Sequence, residues 1–192
     1  NYIMDLNPTL TVTQLRNKFI KTCVSSCVLC YVLGVGDRHL ENILVTKDGR
    51  LLQIDFSYIL GDDPKNLNVE MKITEDMLTM LGGTNSECYY QLKKNCTRVY
   101  QRIRQRSSLW YILLSYLEFS VPVIDNYKYN KKAIEEHIIE KLLPGENDIQ
   151  ASMQIIDIVE RSSKTTWTQN LADFSHKVSN TLKDFTQFNL EL

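Results

Sequence analysis

The sequence predicts a mostly helical α+β domain in which one small β-hairpin is packed among helices. Three observations lead to this class: a long apolar helix near the start, a short hairpin directly after it, and a nearly continuous series of helical patterns from residue 84 onward. With 192 residues the chain can bury a substantial core. We expect a single domain over residues 1–192.

The composition favours no class of partner by itself. Hydrophobic residues make up 43% of the chain, charged residues 23%, and the formal net charge is −1. Nucleic acid is therefore not expected as a partner, and any contact with an anionic membrane must come from a local patch. No apolar run approaches the roughly 20 residues of a membrane span. The five cysteines lack the spacing of a disulfide framework, which suggests buried thiols in a reducing compartment.

The first clear element is a helix from about Thr13 to Leu33. Its apolar residues recur at helical spacing, and its second half is apolar nearly all round, which is typical of a helix in the middle of a domain. The stripe consists of Leu15, Phe19, Cys23, Cys27 and Cys30. The helix ends at Gly34 and Gly36, where the chain needs conformations that only glycine adopts cheaply.

A β-hairpin follows at residues 43–54. Two short apolar runs, 43–45 and 51–54, are joined through Asp48 and Gly49, and Asp-Gly between such runs is a strong hairpin signal. The stretch from Gly61 to Gly83 is irregular and is interpreted as a long loop.

Helical patterns fill the rest of the chain. A capping box over residues 84–87 opens a helix whose apolar face is Tyr89, Leu92, Cys96, Val99 and Ile103. A buried helix is expected at 109–119, stopped by Pro122, and further helices at about 131–143 and 149–160. The last stretch carries a 3.6-residue apolar stripe from Trp167 to Phe185.

Residues 34–42, GVGDRHLEN, and residues 53–57, QIDFS, carry the pattern of phosphoryl transfer. That reaction needs a carboxylate at the attacking hydroxyl and oxygen ligands that hold magnesium on the phosphates. Protein kinases supply an Asp, an Asn five residues later, and Asp-Phe-Gly after a hairpin. Here Asp37 and Asn42 are five apart, and Asp55 follows the predicted hairpin. We therefore expect Asn42 and Asp55 to share a metal ion.

The reversed order Asp-Arg-His at 37–39 resembles the phosphatidylinositol 3- and 4-kinases and their related giant protein kinases. Residues 33–42, LGVGDRHLEN, and 54–65, IDFSYILGDDPK, resemble the class III phosphatidylinositol 3-kinases in particular. The likeness continues to Gly83, covers nearly the whole chain and thins after about Ser120.

The resemblance implies the C-terminal lobe of a protein-kinase-like fold. The catalytic loop would be 34–42, the metal-binding segment 55–57, the activation loop 58–81 and the helical remainder 84–188. No glycine-rich loop and no strand lysine precede Asp37, so the ATP-clamping N-lobe is not expected in these residues. The chain by itself should accordingly be inactive.

Catalytic roles follow from the same resemblance. Asp37 would be the catalytic-loop aspartate and His39 its partner, acting either as general base or by stabilising charge on the transferred phosphate. Arg38 would anchor the loop through its fork of donors.

Cofactor roles are implied as well. Asn42 and Asp55 would bind Mg²⁺ or Mn²⁺, and Ile54 and Phe56 would join them in binding ATP, the co-substrate.

Two positions depart from the family pattern His-Ile-Asp-Phe-Gly. Gln53 replaces the histidine and cannot shuttle a proton, and Ser57 replaces the glycine and limits the backbone beside Asp55. Both an active kinase and a weak or inactive one remain open.

The activation loop bears on the lipid substrate. Between Tyr58 and Asp76 two bases, Lys65 and Lys72, are candidate substrate-binding residues. The same stretch carries five acids, Asp62, Asp63, Glu70, Glu75 and Asp76. Because extra headgroup phosphates would be repelled, the loop favours plain phosphatidylinositol.

Membrane contact has two candidate surfaces. One is a basic helix side, which is either solvated or turned to anionic lipid: Lys93, Lys94, Arg98, Arg102, Arg104 and Arg106. The other is the terminal stripe, either core or interfacial helix, for which the class III resemblance implies membrane contact by Trp167, Phe185 and Phe188.

The function implied by the resemblance is ATP-dependent phosphorylation of the 3-hydroxyl of phosphatidylinositol, as part of a larger kinase. Implied partners are phosphatidylinositol in membranes, the N-lobe and helical domains of the same protein, and a regulatory protein-kinase-like subunit. The implied location is cytoplasmic, peripheral on endosomal or other internal membranes. Two alternatives are a related Ser/Thr protein kinase and a weak or inactive kinase-like interaction module.

Overall fold

The computed structural model describes residues 2–64, 70–117 and 130–164. These residues form seven α-helices and one two-stranded antiparallel sheet. The elements are α1 (Tyr2–Asp5), α2 (Val12–Leu33), β1 (Ile43–Val45), β2 (Leu51–Gln53), α3 (Glu75–Leu81), α4 (Glu87–Arg104), α5 (Ser107–Ser115), α6 (Lys131–Leu142) and α7 (Asp148–Lys164), with a 3₁₀ turn at Leu40–Asn42. The expected mostly helical class with one small hairpin is confirmed. Among these helices, none has both the length and the apolar character needed to cross a membrane.

Helix α2 is the central element, as its sequence predicts. Thr11 caps its start in a capping box with Gln14, and Gly34 ends it in the left-handed conformation with φ 59°. The predicted stripe is buried throughout, from Leu15 to Cys30. Around it pack α4, α6, α3 and strand β2, so α2 fixes where the hairpin lies.

The predicted hairpin is confirmed, and the structure gives its register. Ile43 pairs with Gln53, Leu44 with Leu52 and Val45 with Leu51. Leu51 is buried, and its backbone N–H donates to the hydroxyl of Thr22 on α2 at 2.9 Å. One face of the hairpin is thereby tied to α2.

Two predicted boundaries are wrong. The loop expected from Gly61 to Gly83 contains α3, which Thr74 caps through its hydroxyl and which ends at Gly82 with φ 88°. A helix of seven residues has too short a pattern to stand out among irregular sequence. Helix α4 begins two residues later than the expected capping box implies, because its N-cap is Ser86 and not Thr84.

The buried character expected of the helix at 109–119 is also wrong for α5. Its residues Leu109, Ile112 and Leu113 are 48%, 53% and 52% exposed, its C-cap Tyr116 is 62% exposed, and Leu114 is buried. Helix α5 packs mainly against α6 and to a smaller extent against α4. The expected stop at Pro122 lies outside the described residues.

The basic side of α4 is only partly a solvated face. Arg104 is buried, and its guanidinium donates to the Asp148 carboxylate and to the carbonyls of Leu143 and Glu146. Lys93 donates to Glu160 on α7 at 2.7 Å. These two side chains therefore hold α4 to α7 and the α6–α7 connection, and neither is available to anionic lipid.

A histidine joins α6 to the end of α2. The buried His137 Nε2 lies 2.8 Å from the Val32 carbonyl, to which it donates in the neutral form. Burial lowers the pKa of His137 below its ordinary value of 6.5, against a smaller opposing effect of the Val32 bond. Lys141 lowers this pKa further and Glu140 raises it, both weakly.

Arg104→Ala should lower the free energy of unfolding by about 2–3 kcal/mol, because it leaves buried carbonyls without their charged donor. Urea unfolding followed by circular dichroism measures the change. Arg102→Ala is the matched control, since Arg102 is exposed on the same helix, and it should shift stability by less than about 0.5 kcal/mol. Equal effects of the two changes would contradict the structural role of Arg104.

Acid should destabilise the chain through His137. Because the folded state holds the His137 proton less readily than the unfolded state, stability falls as pH drops below about 6.5, by at most about 1.4 kcal/mol per pH unit. His137→Gln, which keeps a donor for Val32, should flatten this dependence between pH 7.5 and 5.5 in urea unfolding. His39→Gln is the control and should leave the His137-dependent slope in place. An unchanged slope in His137→Gln would refute the assignment.

Candidate active site

The loop between α2 and β1 brings the candidate catalytic residues to the end of the hairpin. After Gly34 the Val35 N–H bonds back to the Cys30 carbonyl at 2.9 Å, and the Gly36 N–H donates to the Tyr58 carbonyl at 2.9 Å. The 3₁₀ turn then leads directly into β1. The loop is thus fixed to α2 at one end and to the hairpin at the other.

Asp37 and His39 lie together in this loop. The His39 Nε2 is 3.7 Å from Asp37 Oδ2, and its Nδ1 is 3.7 Å from Glu41 Oε2. Both distances exceed a normal hydrogen bond. Asp37 has φ 45°, a left-handed conformation that costs a non-glycine residue energy and recurs at functional sites. Glu41 was not predicted as a site residue, because a single acidic residue near a turn does not by itself indicate a functional site.

Asn42 and Asp55 lie at the open end of the hairpin. The Ile54 N–H donates to the Asn42 carbonyl at 2.9 Å, which extends the ladder by one pair and places Asp55 directly beyond it. Asn42 is buried, and its Nδ2 donates to the Asp37 carbonyl at 3.1 Å. Its amide oxygen is thereby left as the acceptor. Sharing of one ion by the Asn42 and Asp55 side chains stays a prediction.

The Asp55 carboxylate is exposed and held by its own turn. Its Oδ1 accepts from the Ser57 hydroxyl at 2.6 Å and from the Ser57 N–H at 2.9 Å. These two bonds hold the pKa of Asp55 below its ordinary value, and the bond from the hydroxyl has the larger effect. The charge interaction with His39 lowers this pKa by a smaller amount. Asp55 has φ 62°, so it is the second acidic residue here with a left-handed backbone.

Apolar side chains surround this end of the hairpin. The cross-strand pair Leu44 and Leu52 is 45% and 46% exposed, and Ile54 and Phe56 are 40% and 51% exposed. The Gln53 Nε2 donates to the Ile54 carbonyl at 3.2 Å. The exposed apolar surface beside Asp55 is the kind of surface against which a planar base can stack.

The segment after Asp55 packs against residues 34–42, the predicted catalytic loop, through two glycines. Leu60 N–H donates to the Leu33 carbonyl at 2.7 Å, and Gly61 N–H to the Gly34 carbonyl at 2.9 Å. A Cβ on Gly34 would lie 2.6 Å from Gly61 N, and one on Gly36 would lie 2.2 Å from the Asp62 carbonyl oxygen. Gly34 therefore serves both as a helix stop and as a contact surface, whereas Gly36 serves only the second role.

Arg38 fastens the far end of the same segment. Its Nη1 donates to the Glu70 carbonyl at 3.2 Å, and burial lowers the pKa of its guanidinium. The Glu70 carboxylate in turn lies 3.0 Å from Arg161 Nη2 in the last turn of α7. The anchoring role expected of Arg38 agrees with this contact. Arg161 was missed, because nothing in its local sequence connects α7 with residue 70.

The acidic residues of the predicted activation loop are not all loop residues. Glu75 and Asp76 lie in the first turn of α3, where their negative charges interact favourably with the helix dipole and stabilise the helix. Asp62, Asp63 and Glu70 are the acids of its described loop portion, which also carries the base Lys72. The substrate candidate Lys65 lies outside the described residues, as do the membrane candidates Trp167, Phe185 and Phe188.

The donor atoms fit a small hard cation. One amide oxygen and one carboxylate offer the oxygen ligands that Mg²⁺ and Mn²⁺ prefer, and Mg²⁺ usually keeps waters and substrate phosphates as its other ligands. In the part of the chain that the structure describes, no three His, Cys, Asp or Glu side chains gather into a ready-made metal site. The pair Asn42 and Asp55 therefore suits an ion that arrives with phosphate.

Comparison with known proteins identifies the family. The model of the family "Phosphatidylinositol 3- and 4-kinase" matches residues 2–121. The chain is 38% identical over 126 residues to phosphatidylinositol 3-kinase pik3 of Schizosaccharomyces pombe, covering 65% of this chain and 15% of that protein. It is 44% identical over 100 residues to phosphatidylinositol 3-kinase VPS34 of Arabidopsis thaliana, covering 52% and 12%, and 42% identical over 106 residues to phosphatidylinositol 3-kinase VPS34 of Saccharomyces cerevisiae, covering 55% and 12%.

The chain therefore belongs to the phosphatidylinositol 3- and 4-kinase family. It spans 12–15% of the length of these three relatives.

Gly36→Ala should displace residues 62–63, because the new methyl group would overlap backbone atoms that cannot rotate away. We expect a loss of about 2 kcal/mol of stability and faster hydrogen exchange at the amides of Leu60 and Gly61. Gly145→Ala is the matched control, since a Cβ there meets nothing within 4 Å. Unchanged exchange at both amides in Gly36→Ala would contradict the close fit of loop and segment.

Proposed function

We propose that this chain is the C-terminal lobe of a lipid kinase that transfers a phosphoryl group from ATP to the 3-hydroxyl of phosphatidylinositol. The observation that carries the proposal is the juxtaposition of the loop of Asp37 and His39 with the hairpin end of Asn42 and Asp55. The family membership and the names of the relatives support the reaction class.

Asp37 and His39 act on the attacking hydroxyl. Either Asp37 Oδ2 or His39 Nε2, which lie 3.7 Å apart, accepts the hydroxyl proton as the oxygen bonds to the γ-phosphorus. The bond from the γ-phosphorus to the β–γ bridging oxygen breaks, and ADP leaves with that bonding pair. Whichever of Asp37 and His39 does not take the proton holds the proton-accepting side chain in place. Glu41 on the far side of the imidazole keeps the ring between two carboxylates.

Asn42 and Asp55 hold the metal site. A Mg²⁺ or Mn²⁺ ion bound there would neutralise phosphate charge and orient the γ-phosphoryl group for in-line transfer. The nucleotide base stacks on the exposed apolar surface of Ile54 and Phe56, and a further part of the same protein covers it from the other side. We expect the chain alone to be inactive for this reason.

The lipid specificity rests on charge. The described loop portion of 58–76 carries the acids Asp62, Asp63 and Glu70 and the base Lys72, and Lys65 adds a second base to the stretch. Because the Glu70 carboxylate is paired with Arg161 at 3.0 Å, the repulsion is assigned to Asp62 and Asp63. A headgroup with extra phosphates would approach Asp62 and Asp63, and each close like-charge contact costs on the order of 1 kcal/mol in partly solvated surroundings. Plain phosphatidylinositol is therefore the preferred substrate.

The setting of the reaction follows the class III resemblance. The kinase acts at the surface of endosomal or other internal membranes, from the cytoplasmic side, with Trp167, Phe185 and Phe188 contacting lipid. The helical domains of the same protein and a regulatory protein-kinase-like subunit complete the assembly.

The test is a vesicle assay of the full-length protein that carries this chain. Phosphorylation of phosphatidylinositol should exceed that of its 4,5-bisphosphate by at least about tenfold at matched surface density, as two or more repulsive contacts would require. Asp55→Asn and Asp37→Ala should each lower kcat by about a hundredfold or more. Equal rates on the two lipids would contradict the charge argument while leaving the kinase assignment intact.

A matched control lies at the other end of the same hairpin. Asp48→Asn makes the same chemical change at an acid that pairs with Arg50 at 2.9 Å in the turn. It should leave the rate within about twofold, since surface ion pairs contribute little. Retained activity in Asp55→Asn would refute the proposed site.

A further inference from the structure

Ser57 occupies one oxygen of the candidate metal ligand. Both its hydroxyl, at 2.6 Å, and its N–H, at 2.9 Å, donate to the same atom, Asp55 Oδ1. The hydroxyl bond has the short length of a charge-assisted bond to a carboxylate. A carboxylate oxygen has about two acceptor sites, so Oδ1 is filled by these donors.

The hydroxyl bond is particular to this sequence. Where the family pattern has glycine, only the N–H bond can form, because glycine has no side chain. The serine thus adds a donor at the one residue whose carboxylate is expected to coordinate the ion. Its backbone needs no glycine here, since Ser57 is absent from the described residues with positive φ.

Filling Oδ1 restricts how Asp55 can bind a cation. Coordination through both carboxylate oxygens would require Oδ1 to release the Ser57 hydroxyl. Coordination through Oδ2 alone leaves both Ser57 bonds in place. A half-turn of the carboxylate exchanges the two oxygens and restores the same arrangement.

We propose that Ser57 restricts Asp55 to a single-oxygen ligand and thereby makes this site favour Mg²⁺ and Mn²⁺ over Ca²⁺. The reason is that Mg²⁺ takes six ligands in strict octahedral geometry, whereas Ca²⁺ takes six to eight and readily binds a carboxylate through both oxygens. The inference rests on the proposed function, because it requires Asp55 to be a metal ligand. The inference adds Ser57 as a positioning residue, which sets cation selectivity by fixing how the Asp55 carboxylate binds the ion.

The experiment measures cation binding in the full-length protein with a non-hydrolysable ATP analogue present. Bound Mn²⁺ is followed by electron paramagnetic resonance, and Mg²⁺ or Ca²⁺ is titrated as competitor. Ser57→Ala removes the hydroxyl and keeps the N–H bond. We expect it to raise Ca²⁺ affinity about fivefold while Mg²⁺ affinity stays within about twofold.

Two further variants separate the hydroxyl from the backbone. Ser57→Thr keeps a hydroxyl and should retain the original ratio of Ca²⁺ to Mg²⁺ affinity. Ser57→Gly should match Ser57→Ala if the hydroxyl is the cause. Gln53→His is the matched control, because Gln53 bonds to the Ile54 carbonyl and not to Asp55, and it should leave the ratio unchanged.

The outcomes distinguish this inference from the proposed function. An unchanged affinity ratio in Ser57→Ala, with Mn²⁺ binding still lost in Asp55→Asn, overturns the role of Ser57 and leaves the metal site standing. A gain of Ca²⁺ affinity in Ser57→Gly alone assigns the effect to backbone freedom and also overturns it. Mn²⁺ binding that survives Asp55→Asn overturns the metal site and the inference together.

Discussion

The contact on which the candidate site depends is the backbone pairing between the predicted catalytic loop, residues 34–42, and the segment after Asp55. Gly36 N–H bonds to the Tyr58 carbonyl, and Gly61 N–H bonds to the Gly34 carbonyl. On the other side of Asp55, the Ile54 N–H bonds to the Asn42 carbonyl. Backbone hydrogen bonds therefore fix the chain on both sides of Asp55, at Ile54 and at Tyr58. These main-chain bonds set the distance between Asp55 and the loop. A side chain at Gly34 or Gly36 would not allow the same spacing, because a Cβ at either position would force the two segments apart.

This pairing also explains how two acidic residues keep unfavourable backbone conformations. Asp37 and Asp55 both have positive φ, which costs a non-glycine residue on the order of 1 kcal/mol or more. The surrounding bonds supply the compensation: Asn42 holds the Asp37 carbonyl, and Ser57 holds the Asp55 carboxylate. The two acidic residues that the proposed chemistry would use are thus among the four described non-glycine residues with positive φ, the others being Leu60 and Leu143. A looser loop would release the backbone strain at Asp37 and Asp55 and lose their alignment.

The charged residues of the C-terminal helices have mainly structural partners. Arg104 is buried against Asp148, Lys93 bonds to Glu160, and Arg161 reaches Glu70. The last of these contacts connects α7 to the segment that the catalytic loop also holds through Arg38. Helix α7 is thereby linked to the candidate site, so a shift of this helix would displace Glu70.

The sequence by itself determined the local features. Periodicity predicts α2 and its burial, the glycines predict its stop at Gly34, and the Asp-Gly turn predicts the hairpin. The spacing of Asp37, Asn42 and Asp55 indicates the chemistry, since the order of residues along one loop and one hairpin is a local property. The tertiary structure alone decided the exposed face of α5, the burial of Arg104, the contact of Arg161 with Glu70, and the close approach that requires Gly36. Each of these features depends on which segment, distant in sequence, packs against the residue. The residue's neighbours in sequence do not determine which segment that is.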